Sequence, residues 1–149
     1  MDDDARAFLD RQRVAHLATA SADGMPHVVP ICFVRMDDRL YVAIDEKPKR
    51  RQPGQLRRVR NILANPQVAI VADIYSEDWS RLGFVLVSGR ARLLSDGDEH
   101  QHAVRALRSK YAQYLGMALD ERPVIAIDVE RSTSWGMTPA QGDEHVGRG

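Results

Sequence analysis

Apolar and polar residues alternate along most of this chain, and the alternation is broken at regular intervals by turn-forming pairs. Val14 to Ala20 reads as a strand that ends in the turn Ser21-Ala22-Asp23-Gly24. His27 to Arg35 reads as a second strand, Asp37-Asp38 as a tight turn, and Arg39 to Ile44 as a third strand. Strand, turn, strand, turn, strand is an antiparallel meander. Gln67 to Asp73 is a strongly apolar strand. Leu82 to Leu94 is the longest, with Gly83, Val85, Val87, Gly89 and Ala91 on one small, apolar face. Glycines inside a strand mark a bulge, a sharp bend or a close backbone approach. Pro123 to Val129 is the sixth strand, with room to continue to Met137.

Three stretches follow the helical period instead. Ala5 to Arg11, capped by Asp4, would bury Phe8 and Leu9. Gln55 to Ala64 carries Leu56, Val59, Ile62 and Leu63 on one stripe and stops at Asn65-Pro66, with Asn65 suited to a left-handed cap. Asp98 to Leu115 turns Val104, Leu107, Tyr111 and Leu115 inward. Six strands with two or three peripheral helices predict a mainly β fold, a six-stranded antiparallel split barrel. Residues 1–140 are expected to form a single domain, with 141–149 as a flexible Gly-rich tail.

Composition narrows the function classes. The chain has 149 residues, 44% hydrophobic and 28% charged, which suits one soluble domain with a sizeable core. Lys+Arg and Asp+Glu balance at 21 each, which argues against a generic nucleic-acid or membrane-surface binder. Cys32 is the one cysteine, so disulfides within the chain and cysteine-based zinc sites are excluded, and a reducing cytoplasm is the expected location. Met1-Asp2-Asp3-Asp4 lacks the apolar core of a signal peptide, and apolar runs such as Phe84 to Val87 are too short to span a bilayer. No Ser-His-Asp, paired-carboxylate or metal-ligand spacing is evident, so no metal is expected.

One stretch breaks the charge balance. Between Lys47 and Arg60 lie Lys47, Lys49, Arg50, Arg51, Arg57, Arg58 and Arg60, with no acid among them. The tract runs from a strand into a helix, where free backbone N–H groups and the helix dipole favour an anion. Arginine forks clasp phosphate in pairs of hydrogen bonds, and lysine adds point charge. A solvated basic helix face gives the same pattern. An RNA-binding stripe would interleave aromatic residues, and this tract has none.

The run Arg13-Val14-Ala15-His16-Leu17-Ala18-Thr19-Ala20, followed by Asp23-Gly24-Met25-Pro26-His27-Val28-Val29-Pro30, resembles the opening of pyridoxamine-phosphate-oxidase-like (FMN-binding) split barrels. Arg60-Asn61-Ile62-Leu63-Ala64-Asn65-Pro66-Gln67-Val68-Ala69 is similar to their helix-to-strand joint. Asp78-Trp79, then Val87-Ser88-Gly89-Arg90-Ala91, resembles a further family strand, and Trp135-Gly136 falls where the last strand carries an aromatic-glycine pair. The likeness covers Phe8 to Met137. Asp45-Glu46-Lys47-Pro48-Lys49-Arg50 and Asp78-Trp79-Ser80-Arg81-Leu82 carry a nearer likeness to the actinobacterial branch that uses coenzyme F-420, an 8-hydroxy-5-deazaflavin.

The resemblance implies an oxidoreductase acting on a small electron-poor molecule, with hydride carried by F-420 or, alternatively, by FMN. A non-enzymatic cofactor- or tetrapyrrole-binding barrel is the third reading, with His16 and His27 as its first ligand candidates. The resemblance also implies a homodimer with cofactor sites at the interface. By position it assigns Lys47, Lys49 and Arg50 to the phosphate loop. It sets Arg58 near a phosphate-binding lysine of the family, three residues before Asn61, and His27 near the cofactor. Pro30, Ile31, Val42 and Ile44 are candidates to wall the ring, although apolar strand residues are far more often core. Trp79 and Trp135 fit a pocket lining or a dimer seam equally. Tyr41 is a candidate proton donor or a packing residue, and Cys32 reads as a small buried hydrophobe.

Overall fold

Ladder pairing assembles the alternating segments into one antiparallel sheet. A computed structural model describes residues 1–44 and 56–136. Its strands are β1 (Ala15–Ala20), β2 (Pro26–Ile31), β3 (Val34–Met36), β4 (Arg39–Ala43), β5 (Gln67–Ile74), β6 (Gly83–Leu94) and β7 (Val124–Trp135). Its helices are α1 (Asp3–Arg11), α2 (Arg57–Ala64) and α3 (Asp98–Lys110). The strand order is β2-β1-β5-β6-β7-β4-β3. Among the described residues no helix is long and apolar enough to cross a membrane.

The two edge strands, β2 and β3, are consecutive in the chain and joined only by Cys32 and Phe33. Three Cα–Cα steps reach about 11 Å at most. Laid flat, seven strands would hold their edges about 29 Å apart. The sheet therefore curls until its edges meet at this corner, which gives the split barrel. The expected six strands are seven: the segment His27 to Arg35 is cut at Cys32-Phe33 because the chain leaves one edge there and joins the other.

Inside the curl lie Leu17, Ile31, Leu40, Val42, Ile44, Ile70, Val87 and Ile127, with Phe8 and Leu9 of α1 plugging one opening. The small face of β6 points inward as its alternation implies. At Gly89 the ladder slips: Ser88 pairs with Arg131 but Gly89 with Val129. A Cβ at Gly89 would sit 2.1 Å from the Asp128 carbonyl oxygen, so only glycine admits this approach.

A second cluster packs α3 on the outside of β4 and β7, burying Tyr41, Ala43, Val104, Leu107, Val124 and Ala126. This covering makes the first four residues of β7 buried on both faces. The cap of α1 is Asp2, whose carboxylate accepts from Ala5 N at 2.8 Å, rather than Asp4. The helix expected to reach Leu115 stops at Lys110, because Tyr111 turns extended to bring its hydroxyl to Phe33. Leu115, expected inward, is exposed on the following 3-10 turn.

Tyr41 faces α3 and donates to Glu99 at 2.7 Å. Burial and the Glu99 carboxylate push its hydroxyl up to about 12. Arg92 grips Asp128 and Glu99, donating at 2.7–3.0 Å. These hydrogen bonds hold both carboxyls below their usual range. A depressed carboxyl stabilises the fold above its unfolded value and loses that contribution as pH falls through its folded value. Thermal stability is thus expected to fall progressively below about pH 4.5, and less steeply in Arg92→Ala; melting curves across pH 2 to 7 check this.

Candidate functional site

The sequence of α2 combines an apolar stripe with basic and amide residues, and the fold buries both. Val59 and Ile62 enter the core, as expected. Leu63, expected beside them, is exposed, and the rest of the buried face is Arg58 and Asn61, at 6% and 4% exposure. A cation and an amide taken out of water need partners. Asn61 Nδ2 donates to Thr19 Oγ1 at 2.9 Å within the interior. Thr19 occupies an inward position of β1, after Ala15 and Leu17.

Thr19 pairs with His27 across the β1–β2 ladder. His27 is half-buried on the inward face of β2, and its Nδ1 is buried without a hydrogen bond among the described residues. Arg58, Asn61, Thr19 and His27 thus gather at one end of the barrel. Thr19 is the member that motif reading missed; a hydroxyl in the inward phase of an apolar strand was the available signal.

The position of α2 is fixed at its C-terminal end. Asn65 Nδ2 reaches Ser21 O at 3.5 Å, and Pro66 O accepts from Ala91 N at 2.8 Å. Asn65 is extended (φ −145°) rather than left-handed, because Pro66 disfavours helical geometry in the residue before it. At the other end, α2 follows the N-cap residue Leu56, which makes no side-chain cap, and has no acid in its first turn. Arg57 and Arg60 are exposed beside that turn. The helix start and three arginines make this end of the barrel electropositive and suited to an anion.

The remaining sequence candidates disperse. Ile44 is fully buried core at the end of β4, as are Ile31 and Val42 on their strands. Pro30 is exposed on the outer face of β2. Trp79 stands 71% exposed on the 3-10 turn Trp79–Arg81, which Asp78 caps through Ser80. That turn follows the far end of β5 from α2, about 23 Å along the strand. Lys47, Lys49 and Arg50, like the rest of the expected basic loop, lie outside the described residues, as does the tail 141–149. Tyr41 is committed to Glu99 on the α3 side and takes no part in the cluster.

A concave feature lies at the Trp79 end of β5. A groove of about 350 Å³ is lined by Val71, Ile74, Tyr75, Leu82, Phe84 and Trp135. The Phe84 and Trp135 rings stack with centroids 6.3 Å apart. Above it, the outer face of the central strands carries the cross-strand row Pro30, His16, Val71, Leu86, Thr133, then Val28, Ala18 and Ala69. Val28 and Leu86 are 65% and 41% exposed on this face.

The family model described as pyridoxamine 5'-phosphate oxidase matches residues 1–136. The chain belongs to this family. A curated relative, the 5a,11a-dehydrotetracycline/5a,11a-dehydrooxytetracycline reductase of Streptomyces rimosus, is 33% identical over 91 residues, 60% of this chain and 61% of the relative. The chain thus matches less than two thirds of that relative's length. Among solved structures, a FAD-binding protein from Mesorhizobium loti superposes with a TM-score of 0.65 at 26% identity, covering 90% of this chain and 94% of that one. A heme-binding protein from Mycobacterium smegmatis gives 0.73 at 20% identity, covering 90% of this chain and 53% of that one. These neighbours share the split-barrel fold of the pyridoxamine 5'-phosphate oxidase family.

Proposed function

We propose that this family member is an oxidoreductase that holds the deazaflavin F-420 by its phosphate at the α2 end of the barrel and reduces a small electron-poor substrate. The observation that carries the reading is the buried face of α2. Arg58 and Asn61 lie on that face beside Thr19 and His27, below an uncapped helix start. A phosphate suits that end: Arg58 and the first-turn N–H groups bind it, while the Asn61–Thr19 bond fixes the helix that carries them. The basic tract, with Lys47, Lys49 and Arg50, adds charge for a cofactor whose tail is more anionic than that of FMN. When bound, a deazaflavin supplies hydride transfer; the protein supplies orientation and electrostatics. His27 Nδ1 is a buried ring nitrogen that can hold a proton or accept a bond there. The relative's reductase activity and the FAD-binding neighbour favour redox chemistry on a flavin-like ring.

The homodimer belongs to the same proposal. In one protomer the electropositive end and the aromatic groove sit at opposite ends of β5. A second copy laid on the exposed apolar sheet face by a two-fold axis brings one protomer's groove toward its partner's α2. Val28→Glu with Leu86→Glu is expected to halve the sedimenting mass and weaken cofactor binding at least about tenfold, since two charges would be buried in the seam. A double variant that sediments and binds like the parent contradicts the interface.

Turnover tests the redox reading. Reduced F-420 and reduced FMN are each mixed with the protein and a cyclic conjugated enone, and reoxidation is followed by absorbance. F-420 turnover supports the proposal; FMN turnover alone moves the assignment to a flavin enzyme of the same fold. The unpartnered Nδ1 of His27, together with the heme-binding neighbour, favours a tetrapyrrole carrier as the second reading. A sharp heme absorption band that is lost in His27→Ala, with no turnover of either cofactor, would replace the proposal with that one.

A further inference from the structure

One carboxylate interrupts the aromatic groove at the end of β5, and the α2 cluster gives it no role. Asp73 pairs with Phe84 across the β5–β6 ladder, and Phe84 pairs with Trp135 across β6–β7. Residues directly opposite on a ladder share a face, with Cβ atoms about 4.5–5.5 Å apart. Asp73, Phe84 and Trp135 therefore form one row across three strands on the outer face of the sheet. The two rings of that row lie nearly parallel, with 24° between their planes. Trp135 is more than half exposed, and so is Tyr75, which also lines the groove.

Asp73 is the one charged residue among those that line the groove. Among the described residues its exposed carboxylate makes no ion pair and no hydrogen bond. The segment from Asp73 to Arg81 carries Asp73, Glu77 and Asp78 against Arg81 alone. This end of β5 is thus acidic, opposite in sign to the α2 end. Aromatic faces attract a cation through their quadrupole, and a carboxylate at the end of the same row adds a full negative charge. Apolar walls offer a neutral ring stacking alone, and the same carboxylate repels an anion.

We infer that this groove binds a flat aromatic ring that carries a cationic group, such as a protonated amine. The ring stacks on the Phe84–Trp135 pair, and the ammonium sits against the Asp73 carboxylate. Taken with the reductase reading, on which this last step rests, the substrate class is a conjugated ring system bearing an amine. Asp73 is its specificity-determining residue: it selects and orients the ring, and no bond is made or broken at its carboxylate.

Three probes of one shape separate charge from stacking: 2-naphthylmethylammonium, 2-naphthylmethanol and 2-naphthylacetate. Each is titrated into full-length protein without cofactor, and the indole N–H signals are followed by NMR. The chain has two tryptophans, so Trp79→Phe assigns the Trp135 signal. The ammonium probe is expected to move the Trp135 signal and to bind at least about tenfold more tightly than the acetate, with the alcohol between them. Asp73→Asn should remove most of that preference, and Asp73→Lys should reverse it. The inference is overturned if no probe moves the Trp135 signal, if the acetate binds as tightly as the ammonium, or if Asp73→Asn keeps the full preference. It is also overturned if Asp73→Asn halves the sedimenting mass, which would place the carboxylate in a subunit seam. The readout needs no cofactor, so a failure of F-420 to bind leaves the groove's preference standing, and a failure of the probes leaves the F-420 reading standing.

Discussion

Replacing Gly89 with alanine is expected to destabilise the protein by about 3 kcal/mol or more, among the largest losses available from adding one methyl group. The added Cβ would lie 2.1 Å from Asp128 O and 3.2 Å from Val129 Cα, both backbone atoms that no rotamer change can move. Relief requires β6 and β7 to separate at the point where the ladder slips past Glu130. That region is braced by Arg92, which holds the Asp128 carboxylate from β6, and by Arg39, which holds it from β4. Gly116→Ala is the control, since nothing lies within 4 Å of its added Cβ. Its effect should stay within about 0.5 kcal/mol. Denaturant midpoints of the two variants make the comparison. A Gly89→Ala loss below about 1 kcal/mol would mean that the strands are not so closely apposed.

Arg58→Ala is expected to weaken cofactor binding about ten- to a hundredfold, the effect of losing a charge-assisted contact worth roughly 1.5–3 kcal/mol. Exposed Arg60→Ala should change it only a few-fold, because water already screens that charge. Arg58 is also buried, so its truncation tests the fold as well as the site. Arg58→Lys separates the two: it keeps the charge but not the fork. If the site binds phosphate, Arg58→Lys should recover part of the affinity while Arg58→Ala, matched in melting temperature by running the assay cold, should not. Equal binding by all three proteins would remove the anion from α2.

The sequence was most legible where one period acts alone. Alternation located the stretches that form the sheet within a few residues, and the small face of β6 pointed to the close approach at Gly89. It failed where topology acts. The run from His27 to Arg35 keeps one period, yet the barrel must change edges at Cys32-Phe33, and nothing local marks that corner. On α2, hydrophobicity alone chose Leu63 for the buried stripe, whereas the fold buries Arg58 and Asn61 because they meet Thr19 and the barrel end. Family likeness supplied Arg58 and Asn61, but Thr19 came only from the ladder that pairs it with His27. Trp79, a candidate for the pocket lining or the dimer seam, stands at the opposite end of β5 from Arg58 and Asn61.

Fluorescence titration of the purified protein with oxidised F-420 and, separately, FMN, beside the Arg58→Ala variant, tests the central claim most directly. The account predicts saturable F-420 binding that is tighter than FMN binding and at least about tenfold weaker in Arg58→Ala. Failure of both cofactors to bind, or F-420 binding that Arg58→Ala leaves unchanged, would contradict it.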